Sequence, residues 1–285
     1  MKKYLIFVTF VISSLACTFL TNIVASPTNT PIPTPTALPT ITATFTVGLI
    51  EENIYCSSEI QDALDAYNIG YNDEQMGNYE QAIENYKHAI ELDPKYCDAM
   101  DNLALNLKRV GKVDEAIDWY LRSIEILPTN DVAYLGLANA YRQQEQYDKA
   151  TDAYKKMIGI VPENPEGYFG LGMVYFSTSH YQDSIDNLEE AERLYKEQNS
   201  SFVSDAQMFI GYDYFSLNDM ENAVNYFEQA YPSYYDDATL NYYLGVAYYT
   251  ESPVKDLAKA KKYLTTARDL GYGLDSELEK FISQP

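Results

Sequence analysis

A 34-residue period through most of the chain constrains the fold more than any other sequence feature. Small residues mark the period at Gly70, Ala104, Ala138, Gly172, Gly211 and Gly245. Every interval is 34 residues except the one before Gly211, which is 39. The five extra residues, 199–203, are mostly polar and predict a loop. Such a period is typical of stacked units, none of which buries its apolar face alone.

Each unit carries the pattern of two helices joined by a turn. Large and small apolar residues recur three or four positions apart, as on one face of a helix. Gly77 and Gly111 interrupt the first two units midway. Pro94, Pro128 and Pro162 close the first three, because a proline ring clashes with the preceding helical turn. The sequence predicts helix–turn–helix units over residues 63–96, 97–130, 131–164, 165–198, 204–237 and 238–274.

The third unit shows the most complete set of recurring residues. They are Tyr134, Leu137, Ala138, Tyr141, Ala150, Tyr154 and Pro162. In this order they resemble the tetratricopeptide repeat family. The resemblance implies an all-α fold, a right-handed superhelical solenoid of about six repeats, within a domain of residues 47–285. Residues 274–283 are amphipathic and predict a helix that caps the stack. The family also implies a concave face lined by the first helix of each repeat.

The first 46 residues predict export and a spacer. Lys2 and Lys3 precede an uncharged, mainly apolar stretch, the form of an export signal over residues 1–25. Three outcomes are open. Cys17 stands where a bacterial lipoprotein would be cleaved and lipidated, cleavage after residue 25 would release the protein, and an uncleaved segment would span the membrane. Each outcome predicts an extracytoplasmic repeat domain. Residues 26–46, rich in proline and threonine, predict an extended linker.

The charge and the scarcity of reactive residues restrict the function. Beyond the linker, 42 acidic residues face 18 basic ones, because two of the 20 bases are Lys2 and Lys3. This charge disfavours nucleic acid, and membrane contact is expected only through the N-terminal anchor. His88 and His180 are far apart in the repeats, and no zinc-binding or phosphate-loop motif occurs. We predict no enzyme activity, no metal and no cofactor.

The two remaining cysteines allow two interpretations. Cys56 lies just before the first repeat and Cys97 begins the second. Because the first helices of adjacent repeats are neighbours in such a stack, and export permits disulfides, one hypothesis is a Cys56–Cys97 bond. The alternative is two unpaired cysteines.

The family's concave positions carry an unusual number of aromatic residues. The predicted partner-binding residues are Tyr67, Tyr71, Leu105, Arg109, Leu135, Arg142, Phe169, Met173, Phe176, Met208, Tyr212, Phe215, Tyr242 and Tyr249. Concentrated apolar residues on a helix face indicate a binding surface, and aromatic residues are frequent hot spots. Lys108, Arg109 and Arg142 would hold a ligand carboxylate or pair with nearby acids. Of five positions that clamp chaperone tails in one subclass, only Asn102 matches.

Three functions remain open. The leading hypothesis is a non-catalytic extracytoplasmic scaffold that binds an extended peptide or protein segment in this concave groove. The second is a structural protein that assembles with its own copies or with an envelope complex. The third is a glycan-binding module that stacks sugars on tyrosines.

Overall fold

The computed structural model describes residues 56–284, in which thirteen helices are joined by short connections. The helices are α1 (Gln61–Gln75), α2 (Tyr79–Leu92), α3 (Cys97–Arg109), α4 (Val113–Ile126), α5 (Asp131–Gln143), α6 (Tyr147–Ile160), α7 (Pro165–Ser177), α8 (Tyr181–Glu197), α9 (Val203–Ser216), α10 (Met220–Tyr234), α11 (Ala238–Tyr249), α12 (Leu257–Asp269) and α13 (Ser276–Ser283). Each helix packs on the next, so α1–α12 form six hairpins. The predicted all-α stack of six repeats with a C-terminal capping helix is confirmed.

A residue in the left-handed backbone region begins the turn of five hairpins. These residues are Gly77, Gly111, Glu145, Ser179 and Asn218, at equivalent places in repeats 1–5. Glycine adopts this conformation easily, whereas a Cβ atom there costs roughly 1–2 kcal/mol. The later repeats therefore keep the turn geometry without the glycine that marks it in the first two.

The recurring small residue of each first helix lets the second helix pack against its backbone. A Cβ atom at Gly211 would lie only 2.5 Å from the Phe227 ring, and one at Gly245 would lie 2.6 Å from Leu264. Phe227 and Leu264 are both fully buried. The small residues that mark the 34-residue period are therefore those at which the two helices of a hairpin pack most closely.

The extra residues of the fourth repeat are accommodated mainly as helix. α8 has 17 residues, whereas α6 in the preceding repeat has 14. The connection that follows α8 spans residues 198–202, and Val203 already begins α9. The predicted polar loop over residues 199–203 is therefore present, but most of the added length lies in α8.

The last helix covers the apolar end of the stack. Leu278 and Ile282 of α13 are buried in a cluster with Leu264. The Asp275 carboxylate caps α13 by accepting hydrogen bonds from the backbone N–H groups of residues 277 and 278, both at 2.9 Å. α13 therefore buries the apolar face of repeat 6, as the following repeat does for each of the other repeats.

The structure joins Cys56 and Cys97 by a disulfide, with Cα atoms 5.3 Å apart. The bond ties the segment before α1 to the first residue of α3. It is the pairing hypothesised above, and non-reducing peptide mass mapping would test it in the purified protein.

Several predicted features lie outside the described residues. They are the export signal of residues 1–25, the lipidation candidate Cys17 and the linker of residues 26–46. Between residues 56 and 284, none of the helices combines the length and apolar character that crossing a membrane requires.

Candidate functional site

The first helices of the repeats form one continuous surface, which we call the groove. α3 packs against α5, α5 against α7, and α9 against α11. The fourteen predicted residues are divided unequally between open surface and core. Those with appreciable exposure and no covering segment are Tyr67, Tyr71, Leu105, Arg109, Leu135, Arg142, Phe169, Met173 and Phe176. The open part of the groove therefore lies in repeats 1–4.

In repeat 5 the groove is filled by side chains of the protein itself. Met208, Tyr212 and Phe215 are only 7%, 8% and 3% exposed. The ring of Tyr243 packs edge-on against them, with centroids 4.8 Å from Tyr212 and 4.9 Å from Phe215. These three residues were predicted to bind a partner, but the structure places them in the core. Tyr243, at a position where repeats 3 and 4 carry glycine, contributes to this burial through its close contacts with Tyr212 and Phe215.

In repeat 6 the groove is covered by the C-terminal segment. Tyr242 stacks on Tyr272 with ring centroids 4.2 Å apart, and Tyr249 packs on Phe281 at 4.7 Å. The Tyr249 hydroxyl also donates a hydrogen bond to Glu277 at 3.2 Å. Both tyrosines remain partly exposed, but their ring faces are already occupied.

Repeat 4 presents the open aromatic part of the groove. Phe169, Met173 and Phe176 lie on one face of α7, at the spacing of successive helical turns. Phe209 of α9 packs edge-on between the two phenylalanines, at 6.0 Å from Phe169 and 5.8 Å from Phe176. All four side chains are partly exposed. We call these four residues the aromatic patch.

Sequence reasoning missed Phe209, although a signal for it exists. In repeats 3 and 4 the equivalent position is Gly136 and Gly170, where an added Cβ would lie 2.3 Å from Tyr120 and 2.2 Å from Tyr154 of the preceding hairpin. Between repeats 4 and 5 the large and the small side chain of this contact change places. The smaller Leu188 stands at the tyrosine position, and Phe209 at the glycine position packs against its cluster.

The first repeat contributes one occupied tyrosine and one open tyrosine. The Tyr67 hydroxyl accepts a hydrogen bond from Asn102 at 2.8 Å, and burial raises the pKa of Tyr67 to about 12. Asn102, the residue that matched the chaperone-tail clamp, is therefore already used within the protein. Tyr71, one turn further along α1, is 41% exposed.

Arg109 forms a buried polar network with Glu74 instead of facing the groove freely. One Glu74 oxygen accepts from Arg109 at 2.7 Å, and the other accepts from Tyr86 and Asn106, both at 2.9 Å. The Glu74 side chain is 6% exposed. A buried carboxylate needs such partners, so Arg109 joins repeats 1 and 2.

Lys108 and Arg142 have a different environment from Arg109. They occupy the same repeat position on the adjacent helices α3 and α5, and both are partly exposed. Within residues 56–284, neither forms an ion pair with a carboxylate. Burial, with help from Arg142 and Arg109, lowers the pKa of Lys108 to about 8. The groove thus contains a pair of cations without counter-charges.

Two buried carboxyl groups lie elsewhere on the first helices. Burial raises the pKa of Asp101 to about 7, although Asn130 donates a hydrogen bond to it at 2.7 Å. Burial raises the pKa of Asp213, which is fully buried, to about 8. In the described part of the chain no His, Cys, Asp and Glu side chains cluster as a metal site would require.

The repeats match known sequence families and folds. Models described as TPR or tetratricopeptide repeat match residues 62–129, 119–152, 138–179 and 210–271. YrrB, "a TPR protein with an unusual peptide-binding site", is 23% identical with a TM-score of 0.55, over 68% of this chain and 94% of that one. MamA from Desulfovibrio magneticus RS-1 is 16% identical with a TM-score of 0.55, over 61% and 96%.

A larger assembly also contains this fold. A chain in the structure of the APC/C hetero-tetramer Cut9–Hcn1 is 18% identical to this protein, with a TM-score of 0.61. The match covers 78% of this chain and 42% of that one. No curated protein matches this chain in sequence.

A stack of helical hairpins with an open, partly apolar inner surface defines a scaffold for protein–protein interaction. The matches to repeat models specify the family, and the chain belongs to the tetratricopeptide repeat proteins. Such repeats are typically non-catalytic interaction modules.

Proposed function

We propose that this protein is a non-catalytic, extracytoplasmic scaffold that binds an extended segment of a peptide or protein in the open half of its groove. The observation that carries the proposal is the aromatic patch. Phe169, Met173 and Phe176 of repeat 4 keep part of their apolar area in contact with solvent, as does the adjacent Phe209, although the positions equivalent to the first three are buried in repeat 5.

The patch has the properties of a binding anchor. Edge-to-face contacts through Phe209 hold Phe169 and Phe176 in place, so a ligand loses little entropy in ordering them. Burial of the remaining apolar area by a ligand side chain contributes roughly 25 cal/mol per Å². YrrB, which has the same fold, is described as having an unusual peptide-binding site, and this supports the same use of this chain.

The proposed location rests on the N-terminal sequence. Lys2, Lys3 and the apolar residues that follow form an export signal, and Cys17 offers a site for a lipid anchor. The linker of residues 26–46 would then separate the repeats from the membrane. The partner would be another protein of the cell envelope.

Crosslinking followed by peptide binding tests this function. A segment crosslinked to the native protein is identified by mass spectrometry and synthesised, and its affinity for the purified protein is measured. We expect Phe169→Ser or Phe176→Ser to weaken binding at least about tenfold. The control is Leu121→Ser, because Leu121 lies on the second helix α4 and is 44% exposed. Equal affinity of all variants would rule out binding at the patch.

Phe215 is not suitable for this test, because its substitution would disrupt the core of repeat 5. Sedimentation of the same variants examines the second function proposed from the sequence. If the protein forms oligomers that Phe176→Ser dissociates, the groove binds a second copy of the chain.

A further inference from the structure

We propose that the groove binds its peptide through a carboxylate, held between Lys108 and Arg142, while apolar side chains of the same segment contact the aromatic patch. This inference rests on the proposed function and specifies the chemistry of the ligand. It assigns Lys108 and Arg142 a role that the packing of the repeats does not require.

The two cations are brought together by the repeat geometry. They lie 34 residues apart at the same position of adjacent first helices, and α3 and α5 are in contact. The positive charge of Arg142 acts on Tyr154, whose hydroxyl donates a hydrogen bond to Asn139 at 2.8 Å. The Arg142 Nε atom is buried and has no acceptor within the described residues. Arg142 as a whole is partly exposed and has no carboxylate partner within the described residues, so a ligand anion would supply the charge-assisted hydrogen bond that the free protein lacks.

The acidic residue at the equivalent position of the preceding repeat already has partners within the protein. Glu74 occupies the same repeat position on α1, but its oxygens accept from Arg109, Asn106 and Tyr86. Burial, together with the neighbouring cations Arg142 and Arg109, lowers the pKa of Lys108 to about 8. This arrangement is unexpected in a chain with 42 acidic and 20 basic residues, where a pairing acid would be easy to supply. The free-energy cost of leaving Lys108 and Arg142 without a pairing acid is explained if a ligand supplies the counter-charge.

The surroundings favour a carboxylate on a peptide over other anions. The strongly negative chain repels polyanions such as nucleic acids and acidic glycans, whereas a single carboxylate meets only the local positive charge. Phe176 is the next residue in the same row, on α7. Adjacent helices lie about 8–10 Å apart and an extended chain advances about 3.3 Å per residue. A ligand with an apolar side chain about three residues from its carboxylate fits both features.

Three peptide pools test the proposal on the full-length protein. Each pool contains acetylated, amidated nonapeptides with one fixed residue, Glu, Gln or Lys, and a fixed Phe three residues later. Uncharged residues fill the other positions. We expect the Glu pool to bind about tenfold or more tightly than the Gln pool, and the Lys pool to bind least.

Variants connect this preference to the two cations. Lys108→Met and Arg142→Gln should each lower the affinity for the Glu pool to that for the Gln pool. Lys156→Met should keep the preference, because Lys156 is exposed on the second helix α6. Thermal unfolding should show that Lys108→Met is at least as stable as wild type, since a repelling charge is removed. NMR titration of Lys108 should show its pKa rising when the Glu pool binds.

The outcomes separate this inference from the proposed function. Equal binding of the Glu and Gln pools, with both weakened by Phe176→Ser, would overturn the carboxylate site and leave the peptide groove standing. Absence of any binding that depends on Phe176 would contradict both. Tighter binding of polygalacturonate than of the Glu pool, lost in Arg142→Gln, would show that the cations serve an acidic glycan and would overturn the peptide ligand.

Discussion

The two halves of the groove are built from the same repeat, but they carry different chemistry. At one repeat position the residues in repeats 1–6 are Glu74, Lys108, Arg142, Phe176, Phe215 and Tyr249. The first three are charged and the last three are aromatic. The comparison shows that an equivalent position has no single role in this fold, because the neighbouring repeat determines what remains exposed.

The change from open to closed follows the residue that the next repeat supplies. For repeat 4 the next repeat supplies Phe209, whose ring centroid lies 6.0 Å from Phe169 and 5.8 Å from Phe176, and both phenylalanines stay partly exposed. Repeat 6 offers the bulky Tyr243, whose ring packs on Tyr212 and Phe215 and removes them from solvent. Phe176 and Phe215 are therefore the same residue type in the same register with different exposure.

The largest expected effect is a difference in stability between these two phenylalanines. Phe215→Ala should lower the free energy of unfolding by about 3–5 kcal/mol, because a buried ring leaves a cavity. Phe176→Ala should cost less than half as much, because its ring is partly exposed. Urea unfolding of both variants measures the difference. Similar losses would mean that the groove is as closed at repeat 4 as at repeat 5.

The buried carboxyl group of repeat 5 should make this half of the stack sensitive to pH. Burial raises the pKa of Asp213 to about 8, well above its unfolded value, so the folded state holds the proton more tightly. The stability that this proton contributes is therefore fully present below the unfolded pKa of about 4 and is lost progressively as pH rises from there through about 8.

Asp213→Asn should remove that dependence. Between pH 5 and pH 9 we expect wild type to lose on the order of 2–3 kcal/mol relative to this variant, measured by thermal unfolding. Asp152→Asn is the matched control, because Asp152 is exposed on α6 and the charge change is the same. If the stability of both variants follows the same pH profile, Asp213 does not cause the pH dependence.

The charged half of the groove should depend on Arg109 for stability but not on Lys108. Arg109→Met leaves the buried Glu74 with only neutral donors and should cost about 2 kcal/mol, since Arg109 is itself partly exposed. Arg122→Met is the control, because Arg122 is exposed and lies over the Trp119 ring. Chemical unfolding that shows no loss for Arg109→Met would mean that the Glu74 network adds nothing to the joint between repeats 1 and 2.

The smallest effect concerns the turns, which also differ between the halves. Ser179 holds a left-handed conformation with φ of 61°, whereas Gly77 and Gly111 occupy the equivalent places in the first two repeats. Ser179→Gly should therefore stabilise the fold by up to about 1 kcal/mol. The reverse change, Gly111→Ser, should destabilise it similarly. Thermal unfolding midpoints would show opposite shifts.

By itself the sequence determined the helices, the hairpins and their number. The period, the small residues and the apolar spacing are local or repeat at fixed intervals, so they can be read along the chain. Only the tertiary structure decided which groove residues are open. That outcome depends on contacts between residues about one repeat apart, such as Glu74 with Arg109, Tyr212 with Tyr243 and Phe176 with Phe209. Such contacts depend on the combined volume and charge of neighbouring repeats, because close-packed interiors leave no spare space.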